Sequence, residues 1–366
     1  MGNAAVHAEL RAFGQKDGGE YVEVRQGAGG STPQWGLVAD FFAQDELADG
    51  AAEGDLRDSI HNRMVVESAI ATMVIEYRQP ARIRYRSTAN SQVSWRPIGP
   101  DVEEVSAQYA DPLAALARAE IPAILLRGAY DSADCRFLIE RLVGRGLMRD
   151  PLVDDPDDQR TRVDIGTSLG NKGGDKEDFL AHAAETRALF STLFAGVQDP
   201  VATLYERLQA LAPDKKVQTA REPDGRQYGP AIFRVHYDSH AYKPHIDHVS
   251  LREKRFDYEV SRFTHQFAGI LCVQNADARG PGVQSILHRC LWTEEIQPQI
   301  AEQRFGEYAE VQGIEHCRVE LEPGDLYFFN SRCVHEVPAV SGDDPRVVLA
   351  VFIGYAEDDG EIYVWS

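Results

Sequence analysis

The sequence predicts a mainly β protein with a helical layer (α+β), its core a double-sheet jelly roll in the larger, C-terminal part of the chain. Three observations predict it. After Pro230 the apolar residues fall into short strand-like runs separated by Gly/Pro turns. Before Pro230, segments 177–194 and 201–211 have the apolar spacing of amphipathic helices, enough for a layer backing one sheet. Within the strand-like part, His245-Ile246-Asp247 is followed by His335, 335 − 245 = 90 residues on, so a rigid concave scaffold would bring distant metal-ligating side chains together.

Composition bounds the rest. A chain of 366 residues can bury a sizeable core, and 43% hydrophobic with 26% charged residues is ordinary for a globular protein. The net charge is 38 − 58 = −20, which argues against general nucleic-acid binding and against anionic membrane surfaces. No apolar run approaches the roughly 20 residues that span a bilayer, and the N-terminus lacks the basic and apolar regions of a signal peptide. Cys135, Cys272, Cys290, Cys317 and Cys333 are odd in number and lack CxxC spacing, so reduced thiols in a cytoplasm are expected.

In chain order, residues 21–26 read as a short strand ending in the glycine cluster 27–30. That cluster lacks the Lys-Ser/Thr of a phosphate loop and reads as a turn. Residues 37–76 turn helical, with Met64, Val65, Ile70, Met73 and Val74 as the buried stripe. Arg82-Ile83-Arg84-Tyr85-Arg86 alternates at period two, a strand whose basic face is either solvated or a dock for an acidic partner or second subunit. Residues 1–110 are accordingly expected to form an N-terminal extension (helix plus short strands), and 111–366 the jelly-roll domain. Residues 123–127 form a buried strand, and Asp131-Ser132 cap a helix burying Phe137, Leu138, Leu142 and Val143. The acidic, Pro-rich 150–158 reads as a solvated loop or a lid. Strands follow at 232–238, 267–274 and 283–292, with 278–282 as a tight connection. Glu322-Pro323-Gly324-Asp325 is a turn feeding the His335 strand, and 347–355 is the closing strand.

A His-x-Asp pair near a strand end puts an imidazole nitrogen and a carboxylate oxygen within reach of one ion, and His335 is the candidate third ligand. Two His and one carboxylate on one face leave the opposite face of a six-coordinate ion open. Arg346 stands 346 − 335 = 11 residues on, at the head of an apolar run, where its always-charged fork suits a carboxylate. His236-x-Asp238 is the competing pair, although a His in mid-strand is more commonly packed or hydrogen-bonded. His240 and His248 read as surface or supporting residues.

This arrangement resembles the Fe(II)/2-oxoglutarate-dependent dioxygenases, over roughly 121–366. The segment 235–247, ending Tyr242-Lys243-Pro244-His245-Ile246-Asp247, is most similar to the prolyl-hydroxylase-like branch, where a Tyr-x-Pro-His-x-Asp run carries the first two ligands. The resemblance implies a double-stranded β-helix, Fe(II) held by His245, Asp247 and His335, and 2-oxoglutarate and O2 as cosubstrates. Arg346 would bind the distal carboxylate of 2-oxoglutarate. A tyrosine touching the cosubstrate is common where this chain has His236, so His236, Tyr242 and Gln266 are all candidates for the second contact. Related halogenases carry Gly or Ala where Asp247 stands, freeing a site for chloride. Asp247 therefore implies hydroxylation of an unactivated C–H bond, with desaturation or cyclisation left open by substrate placement.

Segment 251–262 is charged and aromatic, and reads equally as a clasp for a zwitterion or as a solvated loop. The expected substrate is a small molecule, a free amino acid or an amino-acid-derived specialised metabolite. The alternatives are a peptidyl or protein hydroxylase and a cupin-like metal-binding protein without oxygenase chemistry. Neither nucleic acid nor membrane is an expected partner, and a homo-oligomer is allowed.

Overall fold

The computed structural model describes residues 95–150, 160–277, 282–342 and 344–366, together with three strands nearer the N-terminus. The chain divides into two compact units, Met1–Thr88 and Ala89–Ser366. In the first, β1 (Glu9–Lys16), β2 (Gly19–Arg25) and β3 (Trp35–Leu37) form an antiparallel sheet in that order, with β2 where a strand was expected. The expectations at 27–31, 38–76, 82–86, 151–158 and 278–281 lie outside the described residues.

The second unit begins with two short helices, Val102–Gln108 and Pro112–Ala117, and then β4 (Ala123–Leu126). Asp131 caps the helix Ser132–Gly144 by accepting the Ala133 N–H. That helix buries Cys135, Leu138 and Leu142. Phe137, expected inside, is instead 40% exposed, with the Arg141 guanidinium 4.3 Å from its ring centroid. At 100° per residue it lies off the stripe through 135, 138 and 142, and there the cation covers it. Val143 is partly buried at the edge of the same stripe.

After β5 (Arg162–Ile165) come the two expected long helices, Lys176–Leu193 and Pro200–Leu211. Asp175 and Asp199 cap them, each carboxylate accepting two N–H groups of the first turn. The helices cover the large sheet, where the rings of Phe190 and Phe233 meet edge-to-face at 5.8 Å.

The remaining strands are β6 (Lys216–Thr219), β7 (Ile232–His236), β8 (Tyr242–His245), β9 (His265–Gln274), β10 (Gly282–Leu291), β11 (His316–Leu321), β12 (Leu326–Asn330), β13 (Cys333–Val337), β14 (Arg346–Tyr355) and β15 (Glu361–Trp365). The large sheet runs β4-β12-β9-β14-β15-β6, with β7 also paired to β14 and β5 beyond β7. The small sheet runs β11-β10-β13-β8. All these strand pairings are antiparallel except β6 with β15. The two-sheet arrangement is the jelly roll expected from the short strands and Gly/Pro turns.

The stretch 326–337 reads in sequence as one strand, and the structure breaks it. β12 lies in the large sheet and β13 in the small one. Buried Asn330 makes the corner: its Oδ1 accepts the Arg332 N–H, and its Nδ2 donates to the Leu116 and Ala117 carbonyls.

Candidate metal and cosubstrate site

The corner at Asn330 and the end of β8 bring the predicted ligands together. β13 and β8 pair with His335 opposite His245, so both rings leave the small sheet on the same face. Each imidazole donates from Nδ1 to the carbonyl two residues before it: His245 to Lys243 at 2.7 Å, His335 to Cys333 at 2.9 Å. That fixes the tautomer and leaves each Nε2 lone pair available. Asp247 Oδ2 lies 3.8 Å from His245 Nε2 and 3.5 Å from His335 Nε2. The three donor atoms all lie within 4.8 Å of one another, and this is the sole such group among the described residues. His236 and Asp238 form no comparable group.

Burial at His245 and charge at Asp247 favour a neutral imidazole and an ionised carboxylate there. Burial pushes the His245 imidazole down to about 4, aided by His335 and opposed by Asp247. Burial opposes ionisation of Asp247. The adjacent His335 and His245 rings and the Arg252 charge outweigh it, and hold the carboxyl well below its usual range. Arg252 makes a close ion pair with Asp247 Oδ1, which leaves Oδ2 facing the imidazoles. The loop is braced from behind: Asp247 N–H donates to the Ser331 carbonyl at 2.9 Å, and the Ser331 hydroxyl lies 2.9 Å from the Asp247 carbonyl and 3.0 Å from that of Gln266.

A cavity of about 240 Å³ opens between the two sheets above this triad. Arg346, at the head of β14, enters it 6% exposed. Its Nε donates to Gln284 Oε1 at 2.6 Å and one terminal nitrogen to His236 Nδ1 at 2.7 Å, with a weaker contact to the Gln284 carbonyl at 3.4 Å. A guanidinium has five N–H donors. Three are engaged, which leaves two, one on each terminal nitrogen. Because His236 Nδ1 accepts from Arg346, its proton belongs on Nε2, 3.3 Å from the Tyr242 hydroxyl. Burial first, then the Arg346 charge, keeps His236 neutral. Arg346 is therefore a buried cation whose hydrogen-bond partners are both neutral, and it has no ion-pair partner among the described residues. Such a charge calls for an anion from outside.

Of the other predicted cosubstrate contacts, His236 and Tyr242 line the cavity. Gln266 does not: its Oε1 accepts the Val249 N–H at 2.9 Å, so its side chain braces the metal-site loop. His248 likewise faces the loop, its Nδ1 accepting from the N–H groups of Ser250 and Leu251. Sequence reasoning missed Gln284 and Arg234, and placed Arg252 only within the charged segment 251–262. Gln284 sits in an unremarkable strand, and only the fold shows it fully buried against Arg346. The alternation Ile232, Arg234, His236 on β7 was the available signal for Arg234.

Residues 98–366 match the family described as carrier-protein-independent halogenase WelO5. The chain belongs to this family. As a WelO5-family member it is an Fe(II)/2-oxoglutarate-dependent oxygenase with O2 as the further cosubstrate, in the superfamily that the motifs resemble. The prolyl-hydroxylase likeness of 235–247 stays a local resemblance. Among solved structures, the chain is similar to an N-substituted L-amino acid dioxygenase from Burkholderia ambifaria in complex with alpha-ketoglutarate, at 17% identity and TM-score 0.46, covering 70% of this chain and 91% of that one. It is also similar to the alpha-ketoglutarate-dependent epimerase SnoN from nogalamycin biosynthesis, at 12% identity and TM-score 0.35, over 69% and 84% of the two chains. AviO1 from Streptomyces viridochromogenes is similar at 14% identity and TM-score 0.36, over 68% and 97%. No curated protein matches the chain. No helix among the described residues is long and apolar enough to cross a membrane.

The residues present fit these cofactors. Two imidazoles with outward Nε2 and one ionised carboxylate are the donor set that non-haem Fe(II) takes, and two free N–H groups on a buried guanidinium suit one carboxylate.

Proposed function

We propose that His245, Asp247 and His335 hold Fe(II), that Arg346 anchors the distal carboxylate of 2-oxoglutarate, and that the protein hydroxylates an unactivated C–H bond of a small molecule. A free amino acid or amino-acid-derived specialised metabolite is the substrate class. The carrying observation is the carboxylate at position 247, its oxygen 3.5 and 3.8 Å from the two imidazole nitrogens. When bound, the iron with 2-oxoglutarate and O2 supplies the C–H-abstracting oxidant, and 2-oxoglutarate leaves as succinate and CO2.

The chain's own residues do the rest. Arg252 takes the outer oxygen of Asp247, so the carboxylate offers one oxygen inward. His236 and Tyr242 hold the Arg346 fork in line. The apolar wall of Ile270, Val348, Ala350 and Phe352 keeps water from the reacting carbon. Substrate placement against that wall decides between hydroxylation and loss of two hydrogens.

Halogenation is the second reading, favoured by the family description. Against it, Asp247 fills the place a halide would need and carries the same sign of charge. A cupin-like protein without oxygenase chemistry would leave buried Arg346 without purpose. The test is anaerobic: Fe(II) plus 2-oxoglutarate, but neither alone, should give the weak visible charge-transfer band. Admitting O2 with substrate should then give succinate in step with an oxygenated or desaturated product. No band with both added would sink the reading.

A further inference from the structure

Four arginines line the cavity: Arg162, Arg234, Arg252 and Arg346. Two have protein counter-ions. Arg162 is bound to both oxygens of Asp164, and Arg252 to Asp247. Arg346 is the proposed cosubstrate anchor. Arg234 remains, and no function above uses it.

Arg234 lies on β7 between Ile232 and His236, so all three side chains share the cavity face. Across the sheet it stands opposite Val348 on β14 and Asp164 on β5. Asp164 would be its natural partner, but both oxygens of Asp164 are taken by Arg162, with Asn171 adding a bond at 3.1 Å. Arg234 has no hydrogen-bond or ion-pair partner among the described residues, and its Nε is buried without one. A half-buried guanidinium that faces a cavity and lacks any counter-ion costs stability unless a ligand supplies the anion.

The cosubstrate does not account for it. Arg346 keeps one free N–H on each terminal nitrogen, enough for a two-pronged bond to the single distal carboxylate. Arg234 and Arg346 are diagonal cross-strand neighbours, since Arg346 stands opposite His236 and Arg234 one same-face step along. Two like charges so placed call for two anions. We propose that Arg234 binds a carboxylate of the substrate itself, making the enzyme selective for the acid form of its amino-acid-type substrate over neutral derivatives. This rests on the proposed function and adds the group by which that site recognises its substrate.

The experiment uses a panel of free and N-acylated L-amino acids, each beside its carboxamide, and a set of phosphate monoesters. Binding to the anaerobic Fe(II)–2-oxoglutarate complex is read by the shift of the charge-transfer band. Thermal stabilisation of the metal-free protein provides a second readout that does not need that complex. The wild type should bind its best acids at least ~30-fold more tightly than the matching amides. Arg234→Gln should erase that advantage while 2-oxoglutarate affinity stays within about threefold, and Arg234→Lys should restore part of it. Equal binding of acid and amide by the wild type would overturn the proposal. So would an acid preference that survives Arg234→Gln, or a response to phosphate monoesters alone. A large loss of 2-oxoglutarate affinity in Arg234→Gln would assign Arg234 to the cosubstrate and overturn the proposal, leaving the oxygenase reading intact. A missing charge-transfer band beside an acid preference in the thermal readout would have the reverse meaning.

Discussion

At the scale of single residues, the site is defined by which charges lack partners. Arg346 is buried, and its contacts with Gln284 and His236 are neutral, so burial lowers its proton affinity, only partly offset by nearby Tyr327, Cys272 and Tyr242, and no carboxylate among the described residues pairs with it. Removing a two-pronged charged bond to a desolvated carboxylate costs roughly 3–5 kcal/mol. Arg346→Ala should therefore raise the 2-oxoglutarate dissociation constant by about two to three orders of magnitude, measured by titration of the charge-transfer band. Arg346→Lys should recover only part, because an ammonium cannot fork. The metal assignment is tested by contrast. His245→Ala, Asp247→Ala and His335→Ala should each abolish turnover and weaken Fe(II) binding, whereas His236→Ala should retain the metal and lose 2-oxoglutarate affinity. Arg252→Met, which frees the outer oxygen of Asp247, should cost about 10–100-fold in iron affinity, the usual effect of losing a ligand's supporting contact. Iron retained by His245→Ala and lost by His236→Ala would transfer the site to the competing pair.

At the scale of elements, the proposed metal site depends on a corner that holds one ligand, Asp247, through its backbone. Ser331 follows the Asn330 turn between β12 and β13. Its backbone bonds both Asp247 and Gln266, and its hydroxyl sits between their carbonyls. Ser331→Ala should lower unfolding stability by about 1 kcal/mol, one net hydrogen bond, and iron affinity should fall with it. Gln266→Leu should cost more, about 1–3 kcal/mol, because it leaves the buried Val249 N–H without a partner. Denaturant unfolding and iron titration of both variants measure this, and unchanged iron affinity in both would detach the corner from the site. This corner marks where sequence reading stopped. β7, β9, β10 and β14 were legible as short apolar runs between Gly/Pro turns, and the convergence of His245, Asp247 and His335 from residue type and spacing. The division of 326–337 into two sheets was not, because every residue of β12 is buried and an all-apolar run carries no period to break. Gln266 and Gln284 are chemically alike in sequence, and only packing shows that one braces the loop while the other holds Arg346.

At the scale of the whole molecule, a chain of net charge −20 encloses a cavity lined by four arginines. The net negative chain opposes anions at long range while the cavity arginines are proposed to hold them, so 2-oxoglutarate binding should tighten as salt screens the exterior. The same balance bears on which anion reaches the metal. The sequence resemblance has Gly or Ala at this position in related halogenases, leaving room for chloride; in the proposed site the Asp247 carboxylate takes that place, held by Arg252 behind and by Ser331 through the backbone. Its charge also reduces the ion's attraction for a further anion. The natural product should therefore carry a new oxygen, or have lost two hydrogens, and carry no halogen, in spite of the family's description. Asp247→Gly would open the position, yet halogen transfer also needs the substrate radical nearer to halide than to hydroxide. A shift of ~1 Å in placement changes rates by orders of magnitude. Asp247→Gly should thus mostly give a dead or uncoupled enzyme, consuming 2-oxoglutarate without product, with chlorination at most a trace. Mass spectrometry of wild-type reactions run in chloride and in bromide buffer decides it: a product with the halide isotope pattern would place Asp247 away from the metal and restore the halogenase reading.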